Sequence, residues 1–391
     1  MSMICIKNAQ LYSPEPLGMK DVLIAGNKVV AIADSISERQ LLSNTQIINA
    51  DGGILTPGFI DSLVHITGGG GEGGFHTRTP AMNFTDATTA GITTLVGALG
   101  TDSTTRSLAD LLAKARALNH EGISCYCHTG SYQVPVTTIT GSVRDDIILI
   151  NEFIGVGEIA ISDHRSSIPT AAELGRIAAE ARVGGMLSGK RGIVSIHMGD
   201  SLDYLSLLEQ IINHSDIPIT QFYPTHMNRN LGLFEAGKQW AKNGGYIDLT
   251  TSTTEMDLAR GEPPCSKALA DLLEDNVPVE QITFSSDGHA SLPVFDNNGE
   301  LVGLKIGLEE SLYREVRLAV MDHDIPLEIA LSVITSNPAR VLGLKNKGHI
   351  STKHDADMVI LNPKDLSIDT VIARGTVVVE RQQAVIKGTF E

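Results

Sequence analysis

Only four cysteines occur in 391 residues: Cys5, Cys125, Cys127 and Cys265. That is too sparse for a disulfide framework in a chain this long, and it points to buried thiols in a reducing cytoplasm. Cys125 and Cys127 fall on one face of a single predicted strand, a poor geometry for bridging each other. No run approaches about 18 uninterrupted apolar residues, which excludes a membrane-spanning helix. Met1–Asn8 alternates like a strand and lacks the long apolar region of a signal peptide. Positive charge is in deficit, with 30 Lys and Arg against 46 Asp and Glu for a net charge of −16. Nucleic acid and anionic membranes are therefore not expected partners. A small anionic substrate held by local arginines stays compatible with that charge. The glycine run Gly68–Gly71 has no Gly-Lys-Ser/Thr behind it, which excludes a phosphate loop.

What is present reads as an ordinary globular protein, 42% hydrophobic and 19% charged. The length suits one barrel-sized domain plus something smaller. Strand-like cores lie near Leu63, Leu95, Cys125, Ala160, Val194, Phe222, Ile247 and Thr283, roughly 25–35 residues apart, as βα units require. Helical patterns fall between them, over 108–118, 171–182, 204–212 and 234–243, and then over 308–320 and 327–333. The expected fold class is α/β, a (β/α)₈ TIM-like barrel. An open doubly wound sheet shares this period but gathers its site at one switch point. Both chain ends are β-rich: 21–25 and 28–32 flank a Gly26-Asn27 turn, and 357–361, 370–374 and 376–380 form a matching set. We expect a small β-sandwich-like domain from residues 1–54 and 346–391, around a barrel over 55–345.

Five potential metal ligands close successive apolar runs: His65, Glu158, His197, His226 and Asp287. Polar residues ending buried barrel strands converge at the C-terminal face. Two imidazoles on different strands with nearby carboxylates suit zinc. Asp287 is placed to act as general base toward a metal-activated water. The glycine run lets backbone approach a ligand while Glu72 supplies negative charge. Arg165 and Arg229 could together clamp a substrate carboxylate.

Taken together these strings resemble the amidohydrolase superfamily and, within it, the bacterial isoaspartyl dipeptidases (β-aspartyl peptidases). The resemblance runs nearly end to end. It is carried by Pro57–Asp61, the glycine run through Glu72 with Thr77–Pro80, Leu99–Ser103, Thr138–Ser142, Ile161–Ser166, Val183–Gly185, His197–Ser201, Pro224–Asn230 and Ser285–Gly288. It implies hydrolysis of the β-linked Asp-Xaa bond of isoaspartyl dipeptides with one or two zinc ions. It also implies that Glu72 holds the substrate ammonium, Arg165 and Arg229 the C-terminal carboxylate, and Thr101 and Ser291 the isoaspartyl part. Tyr132 would stabilise the carbonyl oxygen, and Asp287 would shuttle the proton. Homo-oligomers, commonly octamers, are implied as well. Two other readings compete: another amidase, such as a dihydroorotase-like enzyme or an N-acyl-amino-acid deacylase, and a non-catalytic dipeptide-binding homologue with an impaired metal site.

The chain departs from the family pattern twice. The first strand normally carries His-x-His, and Leu63 stands at the first histidine; water or His76 could substitute. On the fourth strand Glu158 replaces a carboxylated lysine, leaving its carboxylate roughly 3–4 Å short at ordinary bond lengths. An apparent extra residue, Gly157, precedes it. We expect a bulge over Gly155–Glu158 that pushes the glutamate inward. A two-metal site bridged by Glu158, a one-metal site at His197, His226 and Glu158, and a weakly metallated protein all stay open.

Overall fold

The computed structural model describes residues 3–295 and 301–391. Eight parallel strands form its centre: Phe59–Val64, Ile92–Gly97, Ser124–Thr129, Phe153–Ile161, Ile193–Met198, Phe222–Thr225, Ile247–Thr250 and Ile282–Ser285. Each contains one of the expected cores. The first six pair in chain order, and the last two pair with each other. Backbone bonds close the ring. Met227 N donates to Asp248 O at 3.0 Å, while Asp287 N reaches Leu63 O at 3.1 Å and His65 N reaches Gly288 O at 2.9 Å. An open sheet would leave those edges unpaired, so the doubly wound alternative falls.

The helices follow from capping as much as from periodicity. Ser107 accepts the Asp110 N–H to start Leu108–Glu121, and Thr170 and Glu173 form a capping box for Ala171–Ser188. The remaining expected helices form at Ser206–Asn213, Leu231–Lys242, Glu310–His323 and Leu327–Ser332. Among the described residues, none of the helices is long and apolar enough to cross a membrane.

The barrel interior is a packed floor. Ile60, Val96, Ile154, Ile193, Tyr223 and Tyr246 fill its lower part. Above them the buried Asp248 accepts from Tyr223 Oη at 3.0 Å, Thr283 Oγ1 at 2.6 Å and Thr225 Oγ1 at 2.7 Å. Burial pushes the Asp248 carboxyl up to about 6 against these bonds. This network ties the sixth, seventh and eighth strands beneath the site.

Both termini supply one nine-stranded sheet, in which Met358–Leu361 pairs with Ile54–Pro57 across most of the chain length. Its own core contains Ile6, Leu11, Ile24, Met358 and Ile372. The Pro16–Ala25 and Lys28–Ala33 strands make the expected hairpin at Gly26-Asn27. A second hairpin, Ser291–Phe295 with Leu301–Ile306, was not anticipated; Leu292 and Leu304 bring it to the mouth of the main cavity.

Candidate active site

A cavity of about 920 Å³ opens at the C-terminal ends of the barrel strands. His65, Glu72, Thr101, Tyr132, Arg165, His197, His226, Arg229, Asp287 and Ser291 all line it. Glu158 lies beneath them, fully buried. The strand ends explain the convergence: His65 and His226 directly follow their strands, His197 sits one residue before the end of its own, and Asp287 stands two residues past the eighth.

The fourth strand is bulged where expected. Val156 pairs with Val194 and Ile159 with Ile196, so Gly157 and Glu158 together face the single residue Ser195. Gly157 has φ +140°, and a Cβ there would sit 2.5 Å from Ser195 O. Only glycine fits this bend. The bulge delivers the short glutamate side chain to the histidines.

Glu158 uses both oxygens. Oε2 lies 3.1 Å from His197 Nδ1 and 3.6 Å from His226 Nε2, while Oε1 lies 3.5 Å from His65 Nε2. Asp287 Oδ1 stands 3.2 Å from the same His65 nitrogen. Each imidazole spends its other nitrogen on an anchor: His226 Nδ1 on Thr250 Oγ1 at 2.6 Å, His65 Nδ1 on Ala98 O at 3.3 Å, and His197 Nε2 on Asp163 Oδ2 at 3.1 Å. Such outer partners orient metal ligands.

The donor set fits a metal. Glu158, His197 and His226 offer ligand atoms within 4.8 Å of one another. Glu158 Oε1 and Asp287 Oδ1 are buried and both face His65 Nε2, at 3.5 and 3.2 Å, so a cation placed there would satisfy two buried carboxylates. Burial opposes charge on His65, but Asp287 and Glu158 raise it to about 9. Burial likewise opposes ionised Glu158, yet His197, His226 and His65 hold it well below the carboxylate range. His226 is driven down to about 4, first by burial and then by Arg229 and His197, leaving it a neutral donor. Burial pushes the Tyr132 phenol up, so its hydroxyl, 2.7 Å from His197 Nδ1, keeps its proton.

Leu63 is buried and offers no ligand atom, and His76 does not take the place of the missing imidazole. His76 lies on an exposed turn, Phe75–Thr77, and does not line the cavity. The turn after the glycine run carries it outward, so the substitution considered above does not occur.

The remaining residues gather around the charged rim. Thr101 Oγ1 donates to Glu72 Oε1 at 3.0 Å, and Arg165 Nη1 reaches the same oxygen at 3.2 Å. Ser291 packs where a Cβ on Gly70 would lie, 2.8 Å from its own Cβ. Arg229 Nη1 donates to Met198 O at 2.7 Å and lies 3.2 Å from His197 Nε2.

Three residues were missed from the sequence. Arg106 is buried and donates to Gly69 O at 3.1 Å and Thr79 O at 2.9 Å, holding the glycine loop that carries Glu72. Thr250 and Asp163 anchor the imidazoles. Asp163 had a signal, since an acid two residues before an arginine expected to bind substrate suggests a support for that arginine.

A sequence model of the amidohydrolase family matches residues 54–378. A β-aspartyl dipeptidase from Fervidobacterium islandicum AW-1, solved in complex with β-Asp-Leu dipeptide, is 44% identical, with a TM-score of 0.90 over 98% of each chain. A second structure of the β-aspartyl dipeptidase from that organism gives 42% identity and a TM-score of 0.89, again over 98% of each chain. A D-hydantoinase shares the fold, at 19% identity and a TM-score of 0.67 over 100% of this chain and 97% of that one. A dihydroorotase from Listeria monocytogenes is 38% identical over 94 residues, only 24% of this chain and 20% of that protein.

Proposed function

The chain belongs to the amidohydrolase family, and we propose that it hydrolyses the β-aspartyl bond of isoaspartyl dipeptides. One observation carries the reading. An acid, Glu72, and two arginines, Arg165 and Arg229, face the same cavity as a hydrolytic ligand set, in a fold whose 44%-identical neighbour was solved with β-Asp-Leu.

His197, His226 and Glu158, with His65 and Asp287, would hold one or two zinc ions. Zinc supplies Lewis acidity and lowers the pKa of bound water. The protein's own groups do the rest. Glu72 takes the substrate ammonium, with Thr101 and Ser291 orienting the isoaspartyl part. Arg165 and Arg229 take the carboxylate of the leaving residue. Asp287, held ionised against burial by His65, accepts a proton as water oxygen bonds to the side-chain carbonyl carbon. Tyr132 donates to the developing oxyanion. Asp287 then protonates the departing amine as the C–N bond breaks, releasing aspartate and the free amino acid.

The competing amidase reading is not favoured. The dihydroorotase match spans too little of either chain, and a substrate without an ammonium leaves Glu72 unused. The proposal extends to a cytoplasmic homo-oligomer. Exposed Leu149, Met186 and Leu187 on two neighbouring barrel helices support self-association, which light scattering on the purified protein tests. The activity itself is tested by leucine release from β-Asp-Leu, abolished by a chelator and restored by zinc. A preparation carrying zinc that binds β-Asp-Leu without turnover would instead favour a binding protein.

A further inference from the structure

We propose that Asp163 is a positioning residue that couples the arginine grip on substrate to the metal-facing nitrogen of His197. Its substrate half rests on the dipeptide reading above; its metal half does not. Asp163 follows the fourth strand, with only 4% of its side chain exposed. Oδ1 accepts from the Arg165 backbone N–H at 2.7 Å and from Nε at 3.0 Å, and Oδ2 accepts from Nη2 at 2.8 Å. The same Oδ2 lies 3.1 Å from His197 Nε2 and 3.8 Å from Arg229 Nη1. One carboxylate oxygen thus faces an imidazole and two guanidinium groups.

The backbone is built around this hub. A Cβ on Gly199, next to the fifth strand, would stand 2.5 Å from Asp163 Cα and 2.6 Å from its Cβ. Glycine at 199 lets the fifth strand press Asp163 into place. Two consequences follow from the charge. Asp163 Oδ2, with Arg165 Nη2 at 3.1 Å and Arg229 Nη1 at 3.2 Å, surrounds His197 Nε2 and so holds the ring with Nδ1 turned to Glu158. By pairing with Arg165 and facing Arg229, it keeps both guanidinium planes in place before a substrate carboxylate arrives.

The test uses the full-length protein, with zinc alone as the first probe in chelator competition. Asp163→Asn should weaken zinc binding roughly 10–100-fold. In a His197→Gln background the same substitution should cost nothing further, because the coupling runs through the imidazole. As the second readout, Asp163→Asn should raise KM for β-Asp-Leu while leaving KM for its C-terminal amide unchanged. Unaltered zinc affinity in Asp163→Asn would overturn the proposal. So would an equal loss in the His197→Gln background, which marks general damage to the fold. If the unmutated protein cleaves neither peptide but the zinc cycle behaves as stated, the dipeptidase reading fails and the metal coupling stands.

Discussion

Glu158 Oε1 approaches His65 Nε2 to 3.5 Å while Glu158 Oε2 faces His197 and His226 on the other side. One carboxylate thus reaches both His65 and the His197–His226 pair, from a side chain shorter than a carboxylated lysine. The bulge at Gly157 makes up the reach.

Replacing that carboxylate by an amide removes a charge that all three imidazoles face. For Glu158→Gln we expect a drop in bound zinc per chain and a loss of at least about 100-fold in kcat/KM for β-Asp-Leu, in line with the 3–5 kcal/mol that breaking a buried ionic contact costs. Elemental analysis beside a leucine-release assay checks both.

Gly157→Ala places a methyl 2.5 Å from Ser195 O at φ +140°. The strand must shift, at roughly 1–3 kcal/mol, and carry Glu158 off its histidines. We expect a lower melting temperature and weaker zinc binding together. Unchanged zinc affinity would show that the bend does not set the reach of Glu158.

Leu63→His restores an imidazole on the first strand, next to His65. Zinc titration should then show tighter binding of a second equivalent, since nitrogen replaces a side chain that cannot ligate. No gain would mean that Leu63 points away from the second position.

Glu72→Gln keeps the shape and removes the charge proposed to take the substrate ammonium. A charge-assisted hydrogen bond of about 1.5–3 kcal/mol converts to roughly a 10–100-fold fall in kcat/KM for β-Asp-Leu. Zinc content should not change, because Glu72 bonds Thr101 and Arg165 rather than the imidazoles or Glu158 among the described residues.

Asp21 lies far from the site, in the terminal sheet. Burial works against its charge, but Lys7 and the N–H groups of Ile36 and Asn8 outweigh it and hold the carboxyl below its ordinary 3.8. A folded-state value below the unfolded one adds stability above that ordinary value, lost as pH falls through the folded one. Asp21→Asn should therefore melt earlier than the parent near pH 7, with the gap closing under strong acid. A gap constant down to pH 2 would contradict this.

Much of this was visible in the residues. The eight strand cores announce themselves because parallel barrel strands are buried on both faces and read as apolar runs. The five ligand candidates stand out because polar groups ending such runs are costly unless used. Even the bulge at Gly157 followed from comparing glutamate with lysine in length. Thr250, Arg106 and the reach of Asp163 to His197 were hidden for the converse reason. Each depends on a contact between strand ends or loops whose approach the chain order does not reveal. His76 misled because it is near in sequence, while the glycine turn directs it to solvent. The 291–306 hairpin escaped because its strands follow the last barrel strand, outside the repeating βα period.

The central claim is a metal-dependent hydrolase selective for the β-linkage. The most direct measurement compares initial rates of leucine release from β-Asp-Leu and α-Asp-Leu by the zinc-loaded protein. We expect turnover of the β-isomer, its loss on chelation, and little or none with the α-isomer. Equal rates on both, or no release from β-Asp-Leu with zinc bound, would contradict the account.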